Sequence, residues 1–125
     1  VIIGYEIGKL LKKETIFSER VNGSFVLRRG FHIEKNSNVL IVEDVITTGK
    51  SSLECSELAI KAGANILGYA CIIDRSNDKS ILTKKIISQI KLSIPTYEES
   101  KIPENLAKIK PTKPGSRGSW CQKLG

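Results

Sequence analysis

The feature that most constrains this sequence is the apolar run at residues 39–42 (VLIV), which ends at two consecutive acids, Glu43 and Asp44. An unbroken run of this kind, rich in β-branched residues, predicts a strand that is buried on both faces of a parallel sheet. A hydroxyl-rich turn and a helical pattern that stops at Gly63 follow it, and residues 66–74 form a second such run. Strand, loop, helix and strand within about forty residues predict a right-handed βαβ unit whose first strand ends at the acids.

Weaker patterns flank this unit. Apolar residues recur at helical spacing near the start of the chain, and the Asn-Gly pair at positions 22–23 is a strong hairpin signal. The expected elements are a helix at residues 1–13, a hairpin with strands at 15–19 and 25–33, and a last strand at 86–92. Prolines beyond residue 94 indicate a loop-rich extension rather than a second domain.

The composition is that of one globular domain, since 40% of the 125 residues are hydrophobic and 26% are charged. We place this domain at residues 1–117 and a flexible tail at 118–125. Because the chain begins at Val1, without a methionine and inside an apolar run, we expect an N-terminal part of the domain to be missing.

A formal net charge of +7 favours a negatively charged partner, either nucleic acid or a small anionic substrate. The basic residues are spread along the chain and only 6% of residues are aromatic, so we predict no nucleic-acid partner. No apolar run approaches the roughly 20 residues that cross a bilayer, and we expect a cytoplasmic protein without a membrane partner. The spacing of Cys55, Cys71 and Cys121 fits neither a zinc site nor a disulfide framework, which predicts reduced thiols.

The turn at residues 47–52 (TTGKSS) has the composition of an anion-binding loop. Ligands of open parallel sheets bind beyond the carboxyl ends of the strands, and a helix N-terminus with nearby hydroxyls suits a phosphate monoester. A Walker A loop would need glycine at position 44, where Asp44 stands, so a nucleotide triphosphatase is excluded. A ribose 5-phosphate fits both features, because its phosphate can enter the loop while its 2′- and 3′-hydroxyls donate to Glu43 and Asp44.

The stretch at residues 39–52 (VLIVEDVITTGKSS) resembles the phosphoribosyl pyrophosphate (PRPP) motif of type I phosphoribosyltransferases. From Val1 to about Arg117 the chain resembles the orotate phosphoribosyltransferases of that family. The blocks that carry this resemblance are Val1–Gly8 (VIIGYEIG), Glu19–Phe31 (ERVNGSFVLRRGF), Val39–Gly49 and Asp74-Arg75. The resemblance implies an α/β fold of the type I phosphoribosyltransferase class, with a central, mostly parallel sheet flanked by helices.

The same resemblance implies transfer of the 5-phosphoribosyl group from PRPP to orotate, giving orotidine 5′-monophosphate and pyrophosphate in pyrimidine biosynthesis. It implies Mg²⁺ as the cofactor, held mainly by PRPP rather than by protein ligands. It also implies a homodimer with shared active sites, in which a mobile loop covers the pyrophosphate of the neighbouring subunit.

The site residues follow from the matching positions. The resemblance implies PRPP contacts from Glu43, Asp44, Val45, Ile46, Thr47, Thr48, Gly49, Lys50 and Ser51. It implies orotate contacts from Thr47 and Arg75, and a guanidinium can grip the orotate carboxylate with two hydrogen bonds. Glu43, Asp44 and Arg28 are the predicted catalytic residues, and this chain has Arg20, Arg28 and Arg29 where many relatives have a lysine-rich loop.

Several alternatives stay open at the level of sequence. Arg75 could be a solvated loop residue or pair with Asp74, and Arg20, Arg28 and Arg29 could simply form a basic, solvent-facing hairpin. A purine phosphoribosyltransferase would share the PRPP motif, and the base consumed would distinguish it. A non-catalytic PRPP-binding regulator would bind without turnover, whereas a nucleic-acid-binding module would show salt-dependent binding to an oligonucleotide.

Overall fold

The computed structural model describes residues 1–77, 79–110 and 112. In order, the elements are α1 (Ile2–Leu11), β1 (Ser18–Val21), β2 (Ser24–Leu27), β3 (Asn38–Ile46), α2 (Lys50–Lys61), β4 (Asn65–Asp74), β5 (Ile86–Lys91), a short 3₁₀ helix (Glu99–Lys101) and α3 (Glu104–Ala107). The predicted α/β architecture is therefore confirmed, as are the first helix, the hairpin and the last strand.

The central element is a three-stranded parallel sheet with the order β3-β4-β5. Helix α2 connects β3 to its parallel neighbour β4, which is the βαβ unit that the sequence predicts. In the register of the sheet Ile46 pairs with Asp74, and Asp74 pairs with Lys91. The carboxyl ends of all three strands consequently lie at one edge, which we call the carboxyl edge.

Strand β3 differs from its prediction at its end. It does not stop at the acidic pair but continues to Ile46, because Val45 and Ile46 keep pairing with β4. Glu43 and Asp44 are therefore strand residues near the end of β3, where Glu43 is half-buried and Asp44 is exposed. The two carboxylates have different surroundings as a result.

The buried core of the sheet centres on Ile46, Tyr69 and Cys71, with partly buried apolar residues packed around them. Helix α2 turns Ser52 and Ser56 toward this core. The Ser56 hydroxyl donates to the Ser52 carbonyl at 2.8 Å and shares a hydrogen bond of 2.8 Å with the Tyr69 hydroxyl. This buried network fixes the helix against β4, and buried polar groups are stable only when they are paired in this way.

The hairpin has the two-residue turn that the sequence predicts, with positive φ at both Asn22 (49°) and Gly23 (85°). Its strands are displaced from the predicted boundaries: β1 begins at Ser18, and β2 ends at Leu27 rather than at position 33. The left-handed backbone at Arg29 (φ 60°), continued at Gly30, turns the chain out of the strand.

The chain divides into two compact units, Val1–Ile94 and Pro95–Gly125. In the second unit the described elements are the 3₁₀ helix and α3, and its assignment as a loop-rich extension stays a prediction. The domain boundary at residue 117 stays a prediction, because that position and the tail at 118–125 lie outside the described residues. None of the helices in the described part of the chain is long and apolar enough to cross a membrane.

Candidate functional site

The predicted site residues on β3, on the following loop and at the end of β4 meet at the carboxyl edge. The Arg75 N–H donates to the Ile46 carbonyl at 2.8 Å, which ties the residue after β4 to the last residue of β3. The Ile81 N–H donates to the Thr48 carbonyl at 3.1 Å, so the chain after β4 also covers the loop after β3. The fold thus brings the Thr-rich loop and Arg75 to the same edge from positions far apart in sequence.

The loop at residues 47–49 leads directly into the N-terminus of α2. Gly49 occupies the cap position with φ 83°, and no side chain caps the helix. The Thr48 hydroxyl is 3.4 Å from the Lys50 N–H, which is a long contact, and Thr47, Thr48 and Ser51 are exposed. Unsatisfied N–H groups of a first helical turn, the positive end of the helix dipole and free hydroxyls together form a cradle for an anion.

Gly49 is also a point of close approach. A Cβ atom at this position would lie 2.6 Å from Cγ of Leu82 and 3.0 Å from Oγ of Ser80. The segment between β4 and β5 therefore packs on the cradle and fixes its shape. The sequence analysis missed Ser80 and Leu82, because a contact of this kind leaves no periodicity and no motif in the sequence.

The two acids of β3 differ in environment. Glu43 is half-buried, and this burial, reinforced by the neighbouring charge of Asp44, raises the pKa of its carboxyl group. Asp44 is exposed, and its carboxylate accepts a hydrogen bond of 2.8 Å from the Val45 N–H. Among the described residues neither acid forms an ion pair, so both keep acceptor capacity for hydroxyl donors.

Arg75 follows the last residue of β4, and its Nε atom is buried without a hydrogen-bond partner among the described residues. The pairing with Asp74 considered above does not occur, because the Asp74 carboxylate accepts instead from the Ser76 N–H at 2.9 Å. Burial alone would raise the pKa of Asp74, but the Ser76 hydroxyl, the Ser76 N–H and the charge of Lys91 more than offset it and lower that pKa. Asp74 is therefore satisfied by its own turn, and Arg75 retains an unpaired donor.

The arginines of the hairpin form ion pairs with glutamate side chains. Arg28 and Arg29 both pair with Glu19, at 3.2 and 2.9 Å, and Arg20 pairs with Glu54 of α2 at 2.5 Å. The contacts described for Arg28 lie within the hairpin and not at the carboxyl edge. Its side chain is 60% exposed, and its predicted catalytic role stays a prediction.

The described residues contain no group of three or more His, Cys, Asp or Glu side chains that could hold a metal ion. The oxygen ligands available to a metal ion at the carboxyl edge are the carboxylates of Glu43 and Asp44. Mg²⁺ prefers oxygen ligands in octahedral geometry and often takes most of them from a phosphate substrate and water. The residues present therefore fit a Mg²⁺ ion whose ligands come mainly from the substrate.

The chain is similar to known proteins over most of its length. The model of the phosphoribosyl transferase domain family matches residues 8–100. The chain is 45% identical over 117 residues to the orotate phosphoribosyltransferase of Parvibaculum lavamentivorans, covering 94% of this chain and 60% of that protein. It is 43% and 44% identical to the proteins of the same name from Erythrobacter litoralis and Chlorobium phaeobacteroides, covering 94% of this chain and 61% of each of them. The chain thus spans about three fifths of the length of the curated relatives that it matches.

Proposed function

The chain belongs to the phosphoribosyltransferase domain family, and from this membership we propose that the protein transfers the 5-phosphoribosyl group of PRPP to orotate. The products are orotidine 5′-monophosphate and pyrophosphate, and the reaction is a step of pyrimidine nucleotide synthesis in the cytoplasm. The relatives named above are orotate phosphoribosyltransferases, and the similarity to each of them covers 94% of the present chain.

The observation that carries the proposal is the unpaired donor of Arg75 beside the anion cradle. Within the part of the chain that the structure describes, its Nε atom is buried without a partner, and its backbone is hydrogen-bonded to the strand that leads into the cradle. A buried charged donor without a partner costs free energy unless a ligand pairs with it. A base that carries a carboxylate supplies a negatively charged partner, whereas a neutral purine offers only uncharged acceptors.

PRPP occupies the cradle in this proposal. The 5′-phosphate accepts hydrogen bonds from the N–H groups and hydroxyls of residues 47–51, and the positive end of α2 favours its charge. Glu43 and Asp44 accept hydrogen bonds from the ribose hydroxyls. Thr47 lies at the start of the loop, where its exposed hydroxyl is available to the base.

The chemistry needs no covalent nucleophile from the protein. Departure of pyrophosphate leaves positive charge on the ribose ring, and the carboxylates of Glu43 and Asp44 favour this charge. Positioning of the ribose and the base in line with the leaving group supplies most of the remaining rate enhancement. Glu43 and Asp44 are the carboxylates that would assist PRPP in holding Mg²⁺, which would supply positive charge to stabilise the leaving pyrophosphate. Arg28 also neutralises negative charge on the leaving pyrophosphate. It does so from a hairpin that reaches the partner subunit of a homodimer.

Arg75→Ala tests this proposal. The substitution should lower kcat/KM for orotate by about 30-fold or more while leaving the KM for PRPP nearly unchanged, because the ribose and phosphate contacts come from a separate loop. Arg75→Lys should recover only part of the loss, since an ammonium group cannot form the two-pronged contact. The measurement is steady-state kinetics on the intact protein, with each substrate varied in turn.

Three outcomes would contradict the proposal. An equal loss for both substrates, or no loss for either, would remove Arg75 from the base site and favour a purine substrate. Retained PRPP binding without turnover in the wild-type protein would favour a regulator of the same fold.

A further inference from the structure

We infer that Asp74 is a positioning residue, which closes a turn with Ser76 and thereby holds Arg75 free to recognise the carboxylate of the base. This inference rests on the proposed function, because it concerns how the site distinguishes orotate from a base that lacks the carboxylate. Asp74 itself touches no substrate in this account. Its effect passes through the backbone that presents Arg75.

The turn around Arg75 is formed by a buried side chain. Asp74 is only 6% exposed and Ser76 only 9%. The Asp74 carboxylate accepts from the Ser76 N–H at 2.9 Å, two residues further along the chain, which bridges Arg75 with an Asx turn. A buried carboxylate is stable only when such hydrogen bonds satisfy it, so the turn and the burial depend on each other.

The backbone on both sides of Arg75 is tied to the neighbouring strands. The Arg75 N–H donates to the Ile46 carbonyl of β3 at 2.8 Å, and the Asp74 carbonyl accepts from the Leu92 N–H after β5 at 2.9 Å. A further turn bond, from the Lys79 N–H to the Ser76 carbonyl, measures 2.8 Å. The side chain of Arg75 therefore starts from a backbone that is fixed in direction.

The group with which the Asp74 carboxylate pairs determines whether Arg75 is free to bind the base. An acid next to an arginine could pair with it and cancel the charge that the base needs. Here the carboxylate accepts from the Ser76 N–H, while Nε of Arg75 has no partner in residues 1–77, 79–110 and 112. Lys91, which pairs with Asp74 in the sheet register, adds a positive charge that stabilises the ionised carboxylate without using Arg75. Asp74 and Arg75 are therefore adjacent in sequence and opposite in charge, yet they do not pair with each other.

The test compares two nucleotides that differ only in the carboxylate. Orotidine 5′-monophosphate carries it and uridine 5′-monophosphate does not, so the ratio of their dissociation constants reports the Arg75 contact and is unaffected by the folded fraction of a sample. We expect Asp74→Ala to reduce this preference by about tenfold, as measured by calorimetry on the intact protein. Asp74→Asn should recover most of it, because its side-chain oxygen can accept from the same Ser76 N–H.

Asp44→Ala provides the matched control. It removes a carboxylate from the adjoining strand at the same edge and should weaken both nucleotides equally, leaving the ratio unchanged. If Asp74→Ala does not fold, Asp74→Glu keeps the charge but moves the carboxylate away from the Ser76 N–H, and it should still lower the ratio. An unchanged ratio in whichever of Asp74→Ala and Asp74→Glu folds would overturn the positioning role alone. A wild-type protein without any preference between the two nucleotides would overturn the proposed base specificity, and the positioning role with it.

Discussion

Glu43 and Asp44 adjoin in β3, but Glu43 is half-buried and Asp44 is exposed. Glu43 is half-buried next to a like charge, which raises its pKa above the ordinary value of 4.5. A carboxyl group with a raised pKa in the folded state destabilises the fold as the pH rises through that range, because the ionised form is solvated better in the unfolded chain. The protein therefore retains at this position a charge that its fold does not favour, and binding of a ribose hydroxyl is a reason for keeping it.

Glu43→Gln should accordingly increase the stability of the protein near neutral pH while impairing the use of PRPP. We expect the unfolding midpoint of the variant to exceed that of the wild type at about pH 7, and the difference to vanish near about pH 4, where Glu43 is protonated. Thermal unfolding followed by circular dichroism at both pH values measures this. Glu14→Gln makes the same change at an exposed position and should leave the midpoint unchanged at both pH values. A lower midpoint for Glu43→Gln at neutral pH would show that the Glu43 charge stabilises the fold.

Asp44→Asn should weaken the use of PRPP without disturbing the fold. Asp44 is exposed, and the hydrogen bond described for its side chain is the one from the Val45 N–H, which an asparagine oxygen can also accept. Loss of a charged acceptor for a ribose hydroxyl should lower kcat/KM for PRPP by about tenfold or more. Steady-state kinetics measure the effect, and circular dichroism checks the fold. Kinetics equal to those of the wild type would exclude Asp44 from the site.

At the scale of elements, the junction of β3 and α2 depends on a single glycine. Gly49→Ala would place a methyl group 2.6 Å from Cγ of Leu82, on a backbone with φ 83°. We expect a loss of about 1 to 3 kcal/mol in the free energy of unfolding, together with weaker PRPP binding because the cradle changes shape. Chemical denaturation and PRPP binding by calorimetry measure the two effects.

Gly23 supplies the matched control for that experiment. Its φ of 85° is nearly the same, but a Cβ atom there would meet nothing within 4 Å. Gly23→Ala therefore reports the backbone strain alone, and the excess effect of Gly49→Ala reports the contact with Leu82. Combining Gly49→Ala with Leu82→Ala should recover PRPP binding in part. Equal effects of the two glycine substitutions on stability and PRPP binding would show that the packing of Leu82 does not shape the cradle.

The elements that could be predicted from the sequence are those with a local signature. The apolar runs of β3 and β4 predicted the parallel pair, and the Asn-Gly pair predicted the hairpin turn. The end of β3 was predicted wrongly, because pairing with β4 carries the strand past two charged residues. The packing of Leu82 on Gly49 and the turn made by Asp74 were not predicted, since they depend on contacts formed only after the sheet is assembled. The motif thus predicted the residues of the candidate anion cradle. It did not predict Leu82, which packs on the cradle, or the turn made by Asp74 beside it.

At the scale of the whole molecule, the hairpin arginines bear on the proposed homodimer. Glu19 accepts from both Arg28 and Arg29, whose side chains are 60% and 66% exposed. Exposed ion pairs of this kind contribute about 1 kcal/mol or less, so a multiply charged anion can displace them. In the proposed reaction, pyrophosphate in the active site of a partner subunit would be such an anion. Arg28 could then leave Glu19 at a low energetic cost and neutralise the leaving group.

Hybrid dimers test whether Arg28 acts across the subunit interface. Arg28→Ala and Asp44→Asn should each have low activity, and a mixture of the two should form hybrid dimers with one site carrying both substitutions and the other neither. Random association of equal amounts should then recover about a quarter of the wild-type activity. A mixture of Asp44→Asn with Arg75→Ala is the control, because both residues lie at the same carboxyl edge and no site would be intact in their hybrid. Activity of the first mixture no higher than the average of its two components would show that Arg28 serves its own subunit or that the protein does not form the shared site.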